Sequence, residues 1–108
     1  MTQGSDERKD GKILVRVDPD LADLIPGFLE NRRRDMGRIW EALARNDYET
    51  IRILGHSMKG SGGGYGFDAI TEIGDALERA AKNADCKEMR KQIDELTLYL
   101  HRVEVMYD

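Results

Sequence analysis

The stretch YETIRILGHSMKGSGGGYG, residues 48–66, decides how the rest of the chain is read. Six glycines lie in it (Gly55, Gly60, Gly62, Gly63, Gly64 and Gly66), and with Gly74 they make seven of the 11 in the chain. By composition such a segment is a flexible linker. On a helical wheel at about 100° per residue it has a different order. Ile51, Leu54 and Met58 form one apolar stripe, and His56 falls about 140° from Ile51, nearly opposite that stripe. Arg52, Lys59, Gly60 and Gly63 share the side on which His56 lies. Glycine inside a helix costs up to about 1 kcal/mol relative to alanine, so several in one place call for a reason. Leaving the imidazole open to a partner is one.

The flanking sequence continues the helical period. A helix is expected from about Pro26 to Arg45, with Phe28, Leu29, Met36, Ile39, Trp40 and Leu43 on its apolar face and proline tolerated in its first turn. Asn46-Asp47 breaks the pattern before Tyr48. A third helix starting near Phe67 or Asp68 should bury Phe67, Ile70, Gly74, Leu77, Ala81 and Ala84, with residues 83–85 as its exit. The fourth, from about Lys87 to Tyr107, repeats the spacing through Met89, Ile93, Leu96, Leu100, Val103 and Tyr107. One apolar face per helix and short connections predict an all-α fold, an antiparallel four-helix bundle. Ahead of it, Asp18 or Asp20 caps a short helical turn containing Leu21, Leu24 and Ile25. The β-branched run Ile13–Val17 has no visible partner strand and is expected to lie as an extended arm against a helix. Residues 1–12 are too polar to offset the entropy of ordering and should form a disordered tail. The expected organisation is therefore a flexible N-terminal arm over 1–17 and a helical domain over 18–108.

Composition narrows the function classes. The 108 residues, with 17 Lys plus Arg against 21 Asp plus Glu and a formal charge of −4, fit one small domain and exclude a multidomain enzyme. At 40% hydrophobic and 35% charged, the chain should be compact and soluble, with no membrane span and no export signal in MTQGSDERKDGK. Cys86 is the single cysteine, which excludes an internal disulfide framework and fits a reducing, cytoplasmic setting. Cys86, His56 and His101 lack metal-ligand spacing, so no metal is expected. The glycine run fails as a nucleotide loop: GxGxxG registers place Tyr65 or Phe67 at the third glycine, and no Walker lysine follows. Neither an ATP site nor another cofactor is expected. Arg32, Arg33, Arg34 and Arg38 are interrupted by Asp35 in an acidic chain, which argues against nucleic acid. Arg32 falls close to the apolar face, where only snorkelling accounts for it.

An exposed imidazole, with an intrinsic pKa of about 6.5, is often uncharged and nucleophilic near neutral pH and can take a phosphoryl group on a ring nitrogen. Lys59 at i+3 and Arg52 at i−4 are spaced to flank the added charge. The plain alternative is a surface histidine beside solvated cations, and the wheel leaves both open. If the first two long helices fold back on each other at Asn46-Asp47, His56 lies level with Gly37. Arg33, Met36 and Gly37 are then candidates for a docking face, unless Met36 is core and Arg33 simply solvated.

His56-Ser57-Met58-Lys59-Gly60-Ser61, followed by Gly66 and by Leu77-Glu78 with Ala80 and Ala81, resembles the signature of histidine-containing phosphotransfer (HPt) domains. The pattern is a histidine, an apolar residue, lysine, glycine and a small residue, with a further glycine opening the next helix. The resemblance runs from about Asp18 to Asp108 in helix order, and its specific part is Gly55 to Glu78. It implies a four-helix bundle with His56 as phosphoacceptor, Lys59 as its electrostatic neighbour, Gly60 as the open position beside the ring and Gly66 at the start of the following helix. The implied partners are receiver domains of response regulators and of hybrid sensor histidine kinases. His56 would accept a phosphoryl group from one receiver aspartate and pass it to another, with the receiver bringing the magnesium. The chain would be a stoichiometric carrier, not an enzyme, and a monomer. The alternative is a helical adaptor that docks on a receiver or kinase without being phosphorylated. A small enzyme using His56 as general base would need a carboxylate on the same face, which Arg52, Lys59 and the glycines do not provide.

Overall fold

Four helices make up most of the computed structural model, which describes residues 11–107: α1 (Ile25–Ala44), α2 (Tyr48–Gly62), α3 (Asp68–Lys82) and α4 (Cys86–Arg102). Their boundaries lie close to those the apolar spacing predicts, except at the end of α4. Ile39, Ile51, Met58, Ile70, Leu77, Met89, Ile93 and Leu96, drawn from all four, are fully buried. Phe67, just before α3, is buried too, its ring 5.2 Å from that of Phe28 on α1.

Two of the connections have one chemical solution. Asn46 and Ala84 sit in the left-handed region, at φ 59° and 52°. The aspartate that follows each caps the next helix: Asp47 accepts from the Thr50 amide at 3.2 Å and Asp85 from the Glu88 amide at 3.1 Å. Asparagine tolerates this conformation, whereas alanine is strained in it. Ala84, expected in the core, is instead exposed at this turn. Ala84→Gly should therefore stabilise the fold by about 1 kcal/mol; an unchanged or lower urea midpoint would contradict this.

Across α2 and α3 the contacts run in opposite sequence order: Gly55 meets Gly74 and Glu78, while Gly62 meets Phe67 and Thr71. α1 meets α2 in the same sense, closing at Asn46-Asp47 and joined further along where Arg32 donates to Ser61 Oγ at 3.0 Å. α4 lies against α1 as well, with Trp40 Nε1 donating to Thr97 Oγ1 at 3.4 Å.

The chain ends correct the expectation of a wholly helical fold. Ile13–Val17 is a strand, β1, paired in parallel with β2 (Val103–Tyr107), in the register Ile13 to Val103 through Val17 to Tyr107. The fourth helix thus stops at Arg102 and not at Tyr107, and residues 13–17 are paired, not a flexible arm. Val103, Val105 and Tyr107 alternate with Glu104 and Met106 at the two-residue period of a strand, and β-branched side chains favour that geometry. Ile13, Val15, Val17, Val103 and Val105 turn towards the bundle. The short turn at Pro19–Leu21 follows, with Asp18 accepting from the Asp20 amide at 2.9 Å. The tail expected over 1–12 lies, for residues 1–10, outside the described residues.

Candidate functional site

The site is set by two glycines facing each other. A Cβ built on Gly74 would lie 2.6 Å from the Gly55 carbonyl oxygen and 2.6 Å from the Lys59 amide nitrogen. One built on Gly55 would lie 2.8 Å from the Glu78 amide nitrogen. Only hydrogen fits at either position, so α2 and α3 approach backbone to backbone. His56 follows Gly55 directly and Glu78 lies one turn beyond Gly74, so the same crossing brings these two side chains together.

His56 Nδ1 lies 3.1 Å from Glu78 Oε2. The imidazole is 70% exposed while the carboxylate is 8% exposed. A carboxylate accepts hydrogen bonds, so in the neutral ring the bond places the proton on Nδ1 and leaves the lone pair on Nε2. Lys59 Nζ lies 3.8 Å from Glu78 Oε1, and Lys82 Nζ 3.6 Å from Glu78 Oε2. Burial alone would push the Glu78 carboxyl up; the His56 hydrogen bond and the His56, Lys82 and Lys59 charges outweigh it and hold the group below its ordinary value. Glu78 therefore remains an anion at neutral pH, able to orient the imidazole and to stabilise positive charge developing on it.

Of the residues expected at the site, His56, Lys59 and Gly60 are all exposed on α2. Lys59 shares the Glu78 carboxylate with His56, and nothing lies within 4 Å of a Cβ built on Gly60. Gly63 is exposed but has left α2 for the short turn Gly63–Tyr65. Gly66 ends that turn at φ 92°. Arg52 is turned to Glu49, whose carboxylate accepts from two of its guanidinium nitrogens.

The three docking candidates are not drawn to His56. Arg33 and Met36 line a groove of about 420 Å³ against Leu98, Leu100 and His101 of α4. Gly37 is exposed with no atom within 4 Å of a built Cβ. Arg32 faces α2 instead, and it is not merely snorkelling: its Nε donates to the buried Asp35 at 2.9 Å, and its guanidinium lies 5.1 Å from the Phe28 ring centre. A second groove, of about 480 Å³, runs beside Ser57 and Ser61 and is walled on the α1 side by Gly27, Asn31 and Arg32.

Glu78, which the resemblance quotes without giving it a role, is the carboxylate beside His56 that Arg52, Lys59 and the glycines on its own helix do not provide. It arrives from the neighbouring helix. A signal existed: Gly74, Glu78 and Ala81 stand at i, i+4 and i+7, so a charged residue occupies a stripe of small residues that should face another helix. Among the described residues no group of three or more His, Cys, Asp or Glu could hold a metal ion, and no helix is long and apolar enough to cross a membrane.

A family model for the Hpt domain matches residues 23–105. The chain belongs to the Hpt family. No curated protein and no solved structure matched it. An Hpt domain has a general role in histidine phosphotransfer within phosphorelays, as a carrier, and the match spans α1 to α4 together with part of β2.

Proposed function

We propose that this Hpt domain is a phosphorelay intermediate, with His56 taking a phosphoryl group from one receiver aspartate and giving it to another. The observation that carries this reading is the exposed imidazole whose Nδ1 is held by the buried Glu78 carboxylate. In the forward step the Nε2 lone pair attacks the phosphorus of a receiver acyl phosphate. The P–N bond forms, the P–O bond to the aspartate breaks, and the carboxylate leaves with the electron pair. The ring keeps its Nδ1 proton and becomes cationic, which the Glu78 anion at 3.1 Å stabilises. The return step reverses these changes on a second receiver.

The open space about Gly60 supports close approach of a receiver, and the groove beside Ser57 and Ser61 is the neighbouring concave surface. A core drawn from all four helices of one chain supports an antiparallel bundle that is complete as a monomer. The lone cysteine, which is free and exposed, fits the cytoplasm. The glycine run lacks a nucleotide-loop pattern, so the domain acts as a stoichiometric carrier.

The test is incubation with a radiolabelled phosphorylated receiver. The expected result is a label on the domain that is acid-labile and alkali-stable, maps to His56, and chases onto a second unlabelled receiver. A domain that binds the receiver but never takes label would identify an adaptor.

A further inference from the structure

Lys59 is engaged on two sides. Its ammonium lies 3.2 Å from Asp75 Oδ1 and 3.8 Å from Glu78 Oε1, while Arg79 holds the other Asp75 oxygen at 3.3 Å. Glu78 is needed by the imidazole, but Asp75 has no such duty: its charged contacts are Lys59 and Arg79, and its side chain is 33% exposed. We infer that Asp75 is a positioning residue that restrains Lys59, limiting its pairing with phosphorylated His56 so that the phosphoryl group stays readily transferable. This rests on the phosphoacceptor reading above.

A phosphoryl group adds between one and two negative charges near neutral pH. Lys59 is three residues from His56 and, like Lys82 of α3, already shares the Glu78 carboxylate with it, so both cations lie near that charge and Lys59 is the one that Asp75 also holds. Unopposed, the ammonium would pair with the phosphoryl oxygens. That would stabilise the loaded carrier as a ground state and raise the barrier to passing the group on. Asp75 competes for the same ammonium, while Arg79, one turn along α3, draws on its other oxygen. Its remaining negative charge also opposes accumulation of the phosphoryl anion.

The full chain can be loaded without a cognate partner, using phosphoramidate as a small-molecule phosphodonor, and followed by ³¹P NMR after the donor is removed. In Asp75→Asn the pH midpoint of the phosphohistidine resonance should move down, because the freed ammonium favours the more highly charged form. The phosphohistidine half-life should lengthen by about three- to tenfold, the effect of partly unscreening one charge at this range. Asp75→Glu, which keeps the charge, should stay within about twofold of wild type. Arg79→Gln, which leaves Asp75 wholly to Lys59, should shorten the half-life. In a Lys59→Gln background Asp75→Asn should lose most of its effect. An unmoved midpoint or half-life in Asp75→Asn overturns the inference, as does an undiminished effect without Lys59. Phosphohistidine that forms and responds as described, on a domain that no phosphorylated receiver labels, would leave the Asp75 restraint standing and remove the relay reading. No phosphohistidine at all on the wild type overturns both.

Discussion

Gly74→Ala should lower the stability of this domain by about 3 kcal/mol or more, despite alanine being the better helix former. The propensity gain is about 0.5–1 kcal/mol. Against it stands a methyl group 2.6 Å from the Gly55 carbonyl oxygen and 2.6 Å from the Lys59 amide nitrogen, with Met58 Cβ at 2.8 Å. The first two are the acceptor and donor one helical turn apart in α2, so the methyl would press on the backbone of that helix and could not be relieved by a side-chain rotation. Overpacking in a core costs about 1–3 kcal/mol when side chains can shift, and more when the obstacle is main chain. For a domain of about this size the loss corresponds to a fall in Tm of roughly 10–20 °C. Gly60→Ala is the control. A Cβ there meets nothing within 4 Å, so the same substitution in α2 should leave Tm unchanged or raise it. Equal Tm shifts in the two variants would show that the crossing is not as close as described.

The same crossing separates what the sequence shows from what it hides. Apolar periodicity reveals which face of each helix is buried, and that was enough to place His56 outside and Ile51, Leu54 and Met58 inside. It says nothing about how near two helices come. Gly62 illustrates this: as composition it is one more glycine in a loose run, yet a Cβ on it would lie 2.6 Å from Thr71 Oγ1 and 2.8 Å from the Phe67 carbonyl oxygen. Gly64, with nothing within 4 Å, has no such explanation.

Rotation about a helix axis was the harder coordinate. Stepping five residues from each partner of the Arg32–Ser61 bond pairs Gly37 with His56, the same pairing that folding back at Asn46-Asp47 gives. A height does not fix the face, since one residue of difference is about 100° on the wheel. Arg32 therefore looks at α2 while Arg33 and Met36 look at α4. The strand pair was hidden for another reason. Leu96, Leu100, Val103 and Tyr107 satisfy a helical period as well as Val103, Val105 and Tyr107 satisfy a strand period, and the deciding partner, Ile13–Val17, lies at the opposite end of the chain.

The largest functional effects should come from the two ends of the His56–Glu78 hydrogen bond, and they should differ in kind. His56→Gln has no nucleophilic ring nitrogen and should take no label from a phosphorylated receiver. Glu78→Ala keeps the nucleophile but frees its tautomer and removes the anion facing Nδ1, so labelling should persist on His56 and slow by about 10–100-fold. Glu78→Gln should fall between, because its amide oxygen can still accept from Nδ1 but carries no charge to offset the cationic ring. Acid titration gives an independent readout. Because the folded-state value of Glu78 is lowered, its contribution to stability is present above the unfolded carboxyl value and lost as pH falls through the folded one. Wild type should therefore lose stability more steeply than Glu78→Gln below about pH 4. Parallel stability curves would mean that the carboxylate is not held by His56 and the two lysines, and wild-type labelling rates in Glu78→Ala would mean that the bond does not prepare Nε2 for attack.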